Sequence, residues 1–391
     1  MRRIGVEERR ARLGRRHHLA PEARLDDPVE IARDLVGLHA SDPGSVYLAA
    51  AARMREPALE PVEDALYEAR TLLRLLGMRR TMFVLPLDLA AVVQVACAGA
   101  VAARERRTLE RMIDGSGRHA DAMAHLDEVK EATLRALAVR GEAAGAELSR
   151  DVPALREEFV FGEGTSWGGV QRLTTRVLVL LGAEGRIVRG RPRGSWISSQ
   201  YRWAPLDSWL PDGLEDWKVE AAQAELARRW LASYGPATLA DLRWWTGWTV
   251  GVTKRALAQV ETAEVDLDGE PGLVLAHDLE PVAAPEPWVA LPPGLDPTVM
   301  GWKQREWYLG PHQPALFDTA GNAGPTVWCD GRIVGGWGQP DSGEVVVRLL
   351  EDVGAEARAA VEAEAERLGA WLGGVRVAQR FGAPLVRELN S

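Results

Sequence analysis

Along most of the chain apolar residues recur at helical spacing, and three times the helical runs give way to two short strand-like runs joined by a tight turn. The acidic pair Asp26-Asp27 and Pro28, a residue suited to the first helical position, precede Ile31, Leu35 and Leu38, which predicts a helix over roughly 28–40. Asp42-Pro43 repeats that start signal, and Val46, Leu48 and Ala52 predict a second helix ending near Met54. Residues 62–69 read as a third helix, and 72–77 with 78–86 as a two-stranded ribbon that carries Arg79-Arg80-Thr81. Three helices followed by a ribbon is the winged-helix arrangement, a variant of helix-turn-helix.

A long helix over 87–112 leads out and is broken at Asp114-Gly115-Ser116-Gly117, after which the pattern recurs. A helix over 120–140, short helices across 145–158 and a helix over 170–181 precede strands at 185–189 and 196–203. The loop Gly190-Arg191-Pro192-Arg193-Gly194 between them reads as a basic wing tip. Arg189, Ser198, Ser199, Gln200, Tyr201 and Arg202 beside it offer the guanidinium, hydroxyl, amide and phenol groups that hold phosphate and stack on bases. A third copy starts at Trp217, places helices at 238–245 and 250–260, and ends in an acidic hairpin around Asp268-Gly269. Its tryptophans at 230, 244, 245 and 248 are expected in the core. A proline-rich linker over 281–293 separates these copies from short strands at 288–291, 325–329, 333–337 and 345–349 and an amphipathic helix over 354–373. The predicted fold class is therefore mainly α with β wings (α+β). Its units are 1–115, 116–212 and 213–284, each a winged helix, and a β-rich, barrel-like C-terminal module over 285–391.

The charge balance changes this picture in one respect. A net charge of −9 argues against a chain coated in basic residues, yet arginines cluster at 2–16, 104–111 and 186–202 while acid gathers at 351–366, so local strips can still meet phosphate. The N-terminal cluster, with His17-His18 behind it, reads either as a packed arm or as a phosphate-contacting one. No uninterrupted apolar run reaches the ~18–20 residues that span a bilayer and no apolar signal core is present, so a cytoplasmic, nucleoid-associated protein without a membrane partner is expected. Cys97 and Cys329 lack partners at ligand spacing, which points to packing residues, no metal and no cofactor.

Candidate chemistry gathers where the first two helices meet. His39 is predicted to close one helix, Ser41 to sit in the link, and Asp42 to cap the next. A neutral imidazole there can accept a proton from water, and the helix start favours an anion or an oriented water. The plainer alternative is a packed histidine beside a linker serine and an ordinary cap.

Two further strings are long enough to carry a resemblance: Asp296-Pro297-Thr298-Val299-Met300-Gly301-Trp302 and the block from Gly324-Pro325-Thr326-Val327-Trp328 to Gly335-Gly336-Trp337. With the three repeats, they make nearly the whole chain resemble the bacterial winged-helix DNA glycosylases of the azinomycin-resistance type, which unhook interstrand cross-links. That resemblance implies a C-shaped body of tandem winged helices that cradles double-stranded DNA, and a catalytic pair, Gln-x-Gln or Gln-x-Asp, at the end of a first-domain helix. The matching positions here are His39 and Ser41, so the pair departs from both patterns. It further implies hydrolysis of the N-glycosidic bond of an N7-alkylated purine. Judged on its own chemistry, the pair here adds what glutamines cannot do, with His39 able to take the proton of water, Ser41 to relay it and Asp42 to act as a fixed charge if it is not spent on capping. Arg79, Arg80, Arg189, Arg191, Arg193 and Ser198 to Arg202 are the expected DNA contacts, and a monomer is expected. The competing expectations are a DNA-binding protein without catalysis, such as a regulator or a lesion-sequestering protein, and a protein whose acidic face binds another protein.

Overall fold

The computed structural model describes residues 1–161, 169–378 and 382–391. After β1 (Arg2–Arg3) and α1 (Val6–Arg16), the order helix, strand, helix, helix, strand, strand occurs once uninterrupted, once with a two-stranded ribbon inserted before its third helix, and once with the first strand reduced to a bridge. The first copy is α2 (Pro28–Asp34), β2 (Leu38–His39), α3 (Pro43–Ala51), a helical stretch over 60–68, β3 (Leu72–Leu76) and β4 (Met82–Pro86). A long helix, α4 (Leu87–Gly115), links it to α5 (Ala122–Arg140), β5 (Ala143–Ala144) and α6 (Gly145–Asp151). An unforeseen two-stranded ribbon, β6 (Glu158–Phe161) with β7 (Gly169–Arg172), comes next, followed by α7 (Leu173–Ala183), β8 (Ile187–Pro192) and β9 (Tyr201–Pro205). The third copy is α8 (Val219–Tyr234), α9 (Leu239–Thr246), α10 (Val250–Leu257), β10 (Thr262–Leu267) and β11 (Glu270–Leu275).

In the first two sheets the short strand pairs antiparallel with the last strand, giving the orders β2-β4-β3 and β5-β9-β8. The third reproduces this with the single bridge Ala237 to Leu273, and β1 joins its other edge in parallel. The C-terminal module is a four-stranded sheet of β12 (Val289–Ala290), β13 (Thr326–Cys329), β14 (Arg332–Gly338) and β15 (Val346–Leu349), covered by α11 (Gly354–Leu372) and α12 (Pro384–Leu389).

The cores do not follow the repeats one for one. A single cluster runs through the first copy, the third copy and the stretch from Leu295 to Phe317, whereas the second copy has a core of its own. Trp230 and Trp245 are buried as expected, but Trp244 and Trp248 are only half-buried. The helix α4 is long and apolar enough to cross a membrane by length and composition alone; half of its most apolar stretch is buried against the rest of the fold. Both cysteines are buried and free, and burial pushes the Cys97 thiol up to about 12.

The string beginning at Asp296 anchors the first copy. Arg53, at the end of α3, makes a fully buried two-point ion pair with Asp296 at 2.7 and 2.8 Å and also donates to Thr298 Oγ1 and to the carbonyls of His17 and Ala49. A buried pair with its remaining donors satisfied specifies one arrangement, because losing either partner strands a charge in a dry core. The motif around Asp296 is thus a clamp between α1, α3 and the C-terminal half.

Candidate active site

His39 does not close a helix, as its sequence context predicted; it lies on a strand. The helix α2 stops at Asp34 because Val36 and Gly37 take left-handed backbone (φ 53° and 106°), with the Val36 N–H bonded to the Arg33 carbonyl and the Gly37 N–H to the Ala32 carbonyl at 2.7 Å. Those two bonds terminate a helix in the Schellman manner. A β-branched residue in the left-handed region is strained. Here the strain is held by burial of Val36, by Leu85, which would sit 2.5 Å from any side chain at Gly37, and by the Tyr234 hydroxyl, which donates to the Leu35 carbonyl at 2.8 Å. The chain then pairs with β4, Leu38 opposite Val84 and His39 opposite Phe83, and Ala40 N–H extends the ladder to the Met82 carbonyl. Alternation along an extended segment puts Leu38 and Ala40 into the core and His39 and Ser41 together on the other face.

The His39 ring is 5 % exposed, packs against the Phe83 ring at 5.4 Å, and keeps a buried Nδ1 with no hydrogen-bond partner. Burial, with the nearby positive charge of Arg79 as the smaller cause, lowers its pKa from 6.5 to about 3. The imidazole is therefore neutral at physiological pH, with an open lone pair or N–H, but is a weak base. Asp42 caps α3 by accepting the Gly44 N–H at 3.0 Å, and Pro43 has no N–H, so the first donors of this helix start are already taken. An anion held by the helix end, expected from the sequence, loses its donors for that reason.

Ser41 lines a cleft of about 210 Å³ between the first and second copies. Arg74 and Arg80 from the first ribbon, Arg189 and Trp203 from the second, and the apolar side chains of Met82, Leu178 and Ile187 form its walls. Arg74 was missed in the sequence, although a lone charge inside Leu72-Leu73-Arg74-Leu75-Leu76 was a usable signal. It is 3 % exposed, donates to the Tyr67 hydroxyl at 3.0 Å and lies over the Tyr201 ring at 4.8 Å. Arg189 lies 5.2 Å from Tyr201 and 5.0 Å from Trp203.

The other expected contacts are distributed differently from the forecast. The basic tip at 190–194 is not a loop in its first half, because β8 runs on to Pro192 through a bulge and the connection spans 193–200. That connection turns inward: Trp196 packs on Tyr47 at 5.2 Å and on Trp371 at 5.8 Å. Arg191 pairs with Glu63 and Glu68 at 2.9 and 3.0 Å, Arg193 with Glu147 at 2.6 Å, Arg202 with Glu142 at 3.4 Å, and Arg80 with Glu105. Ser199 and Gln200 are exposed, and the Ser198 hydroxyl accepts the Gln200 N–H at 3.2 Å. The N-terminal arm is packed: Arg12 is 1 % exposed and bound to Glu8 and Asp278.

Among the described residues, one group could share a metal ion, His119, His125 and Glu157, far in sequence from His39. Its rings stack at 3.5 Å; Glu157 is hydrogen-bonded to His119 Nε2 at 2.9 Å and lies 3.1 Å from His125 Nε2, which makes no hydrogen bond among the described residues.

Comparison with known proteins agrees with this architecture. Residues 32–371 match the model of the family described as DNA glycosylase AlkZ-like. An interstrand DNA cross-link repair glycosylase of Streptomyces sahachiroi is 29% identical over 211 residues, which is 51% of this chain and 54% of that protein, so the alignment spans about half the relative's length. The structure of the Streptomyces sahachiroi DNA glycosylase AlkZ is similar with a TM-score of 0.74 at 23% identity, covering 97% of this chain and 99% of that one.

Proposed function

The chain belongs to the family of AlkZ-like DNA glycosylases, and from that premise we propose that it hydrolyses the N-glycosidic bond of N7-alkylated purines, bulky or cross-linked, in double-stranded DNA. The observation that carries this reading is the junction itself: an imidazole and a hydroxyl on one face of a strained strand start, with a buried Nδ1 that has no partner. The relative's name ties it to interstrand cross-links.

An N7-alkylated purine already carries positive charge. Its bond to C1′ breaks with the electron pair moving onto the base and neutralising it, so no acid is needed at the leaving group. What remains is to orient a water toward C1′ and to tolerate an oxocarbenium-like sugar, which is positioning and electrostatics. The lowered pKa of His39 revises the proton-taking role expected from the sequence. A base near pKa 3 gains little from general-base catalysis at neutral pH. The imidazole accepts a hydrogen bond from the water and fixes its lone pair, Ser41 supplies a second hydrogen bond, and the proton leaves to solvent once the C–O bond has formed. In this respect the histidine works as the glutamine of related enzymes would.

The same reading takes the three copies over 1–115, 116–212 and 213–284 as winged-helix units and 285–391 as the closing module, in a monomer that grips duplex in the cytoplasm. The repeated strand order and the arginines of β3 and β8 support it. The test is release of free base, followed by chromatography, from duplex carrying N7-alkylguanine or a cross-link. Release that depends on the enzyme supports hydrolysis. Tight duplex binding without release over many half-lives of the spontaneous reaction favours the alternative, a lesion-binding protein.

A further inference from the structure

Three arginines from separate parts of the chain lie stacked on tryptophans, Arg79 among them close enough to His39 to act on its charge, and, among the described residues, none forms a hydrogen bond or an ion pair through its guanidinium. Arg79, at the turn of the first ribbon, lies 4.0 Å above the Trp244 ring of α9; Arg305 lies 4.9 Å from the same ring and 5.0 Å from Phe317; Arg9 of α1 lies 4.1 Å from Trp307. The Nε atoms of Arg9 and Arg79 are buried with no acceptor. Burial lowers the pKa of each of these two to about 10, and Arg305 adds repulsion at Arg79. The acid nearest in effect to Arg9, Asp241, already accepts the N–H groups of Lys303 and Gln304 at 2.9 Å and the Thr238 hydroxyl.

Like charges sharing one indole and lacking a carboxylate are costly in the free protein. The backbone is also bent to hold them: Arg79 and Arg80 occupy left-handed φ of 52° and 63° in succession, and Gly247 leaves room for Arg79, whose Cγ would lie 3.3 Å from any side-chain carbon there. Trp244 and Trp307 are half-buried, so the group reaches the surface. Elsewhere in the fold the arginines of the basic faces are matched by Glu63, Glu68, Glu105 and Glu147. Here, where the first copy, the third copy and the C-terminal module meet, no carboxylate among the described residues pairs with the three guanidinium groups.

We propose that Arg79 and Arg305, stacked on Trp244, form an anion subsite for one backbone phosphate of the attacked DNA strand, with Arg9 on Trp307 taking the next phosphate along. Planar guanidinium groups held on indoles keep their N–H edges free for phosphate oxygens. The inference rests on the glycosylase reading and adds to it the claim that the strand is gripped at Arg79, next to His39, and onward along Arg305 and Arg9.

The experiment compares the full-length parent with Arg79→Gln, Arg305→Gln and the double variant, titrating undamaged duplex by fluorescence anisotropy from roughly 50 to 200 mM salt. The log–log salt slope should fall by ~0.9 in each single variant and by no more in the double, since both arginines hold one phosphate. Arg3→Gln, which removes an exposed arginine paired with Asp268, should leave the slope alone. Melting without DNA separates this from a structural role: relieving the repulsion keeps or raises the melting temperature, whereas a scaffold arginine would lower it. Arg305→Lys, folded and charged but not planar, should keep the slope while losing affinity. Unchanged slope and affinity in folded variants, with the parent binding normally, overturn the subsite and leave the glycosylase reading intact. A parent that binds no duplex overturns both.

Discussion

The first and second copies share one backbone plan yet differ where the short strand hands over to the next helix. In the first copy this place reads Leu38-His39-Ala40-Ser41-Asp42; in the second it reads Ala143-Ala144-Gly145, and in the third Ala237-Thr238-Leu239. The strands occupy equivalent edges of their sheets, so the geometry alone does not make a site. Only the first copy adds an imidazole and a hydroxyl to it. The supports differ as well. The second copy packs on its own core, while the first is held from outside by Tyr234 and by Asp296, which pairs with its Arg53. In the proposed reading, a scaffold repeated three times carries chemistry once, at the copy that the rest of the chain braces.

The brace offers the sharpest way to break the contrast. Asp296→Ala should destabilise the protein by roughly 3–5 kcal/mol, because it leaves the buried Arg53 charge unpaired. Hydrogen exchange should rise around β2 and α3 and leave α5 to α7 protected; uniform exposure of both copies would erase the distinction.

Acid provides the next test. His39 has a folded pKa near 3 against 6.5 for an ordinary histidine. The unfolded chain therefore binds the proton first, so the stability that neutral His39 permits is full above about pH 6.5 and drains as pH falls toward 3, by at most ~1.4 kcal/mol per pH unit. His39→Gln should flatten that part of the urea-unfolding profile, leaving the contribution of the similarly buried His17. Base excision by the parent should stay level from neutral pH down to the onset of acid unfolding, and a fall centred on pH 6.5 would point to an exposed, ordinary histidine instead.

Smaller effects refine the account. Ser41→Ala should slow single-turnover excision by about fivefold, the ~1 kcal/mol of one hydrogen bond that a water can partly replace. Ala144→His, which places an imidazole at the equivalent strand of the second copy, should leave the excision rate unchanged. A gain there would mean that the strand position by itself suffices.

Much of this organisation is legible in the chain. The caps Asp27 and Asp42, each followed by proline, mark α2 and α3, and Asp330-Gly331 marks the hairpin of β13 and β14, because such signals act within a few residues. The end of α2 is not legible, since nothing in Leu35-Val36-Gly37 announces a valine in left-handed backbone; that conformation is imposed by Leu85 and Tyr234 from distant segments. The same reason moved His39 from a helix end to a strand. Arginines in 186–202 were visible as a cluster, but their carboxylate partners lie as far as 128 positions away, so their pairing had no local trace. Trp244 looked like core for the same reason, its arginines coming from residues 79 and 305.

The claim at the centre is that His39 orients the water that attacks C1′. Single-turnover base release from an N7-alkylated duplex, with duplex affinity measured on the same samples, tests it most directly. His39→Ala should lose roughly 10²-fold or more in rate, the scale of one well-placed catalytic contact, at unchanged affinity, and His39→Gln should recover part of that loss. Parent, His39→Ala and His39→Gln excising at equal rates on the same duplex would contradict the account.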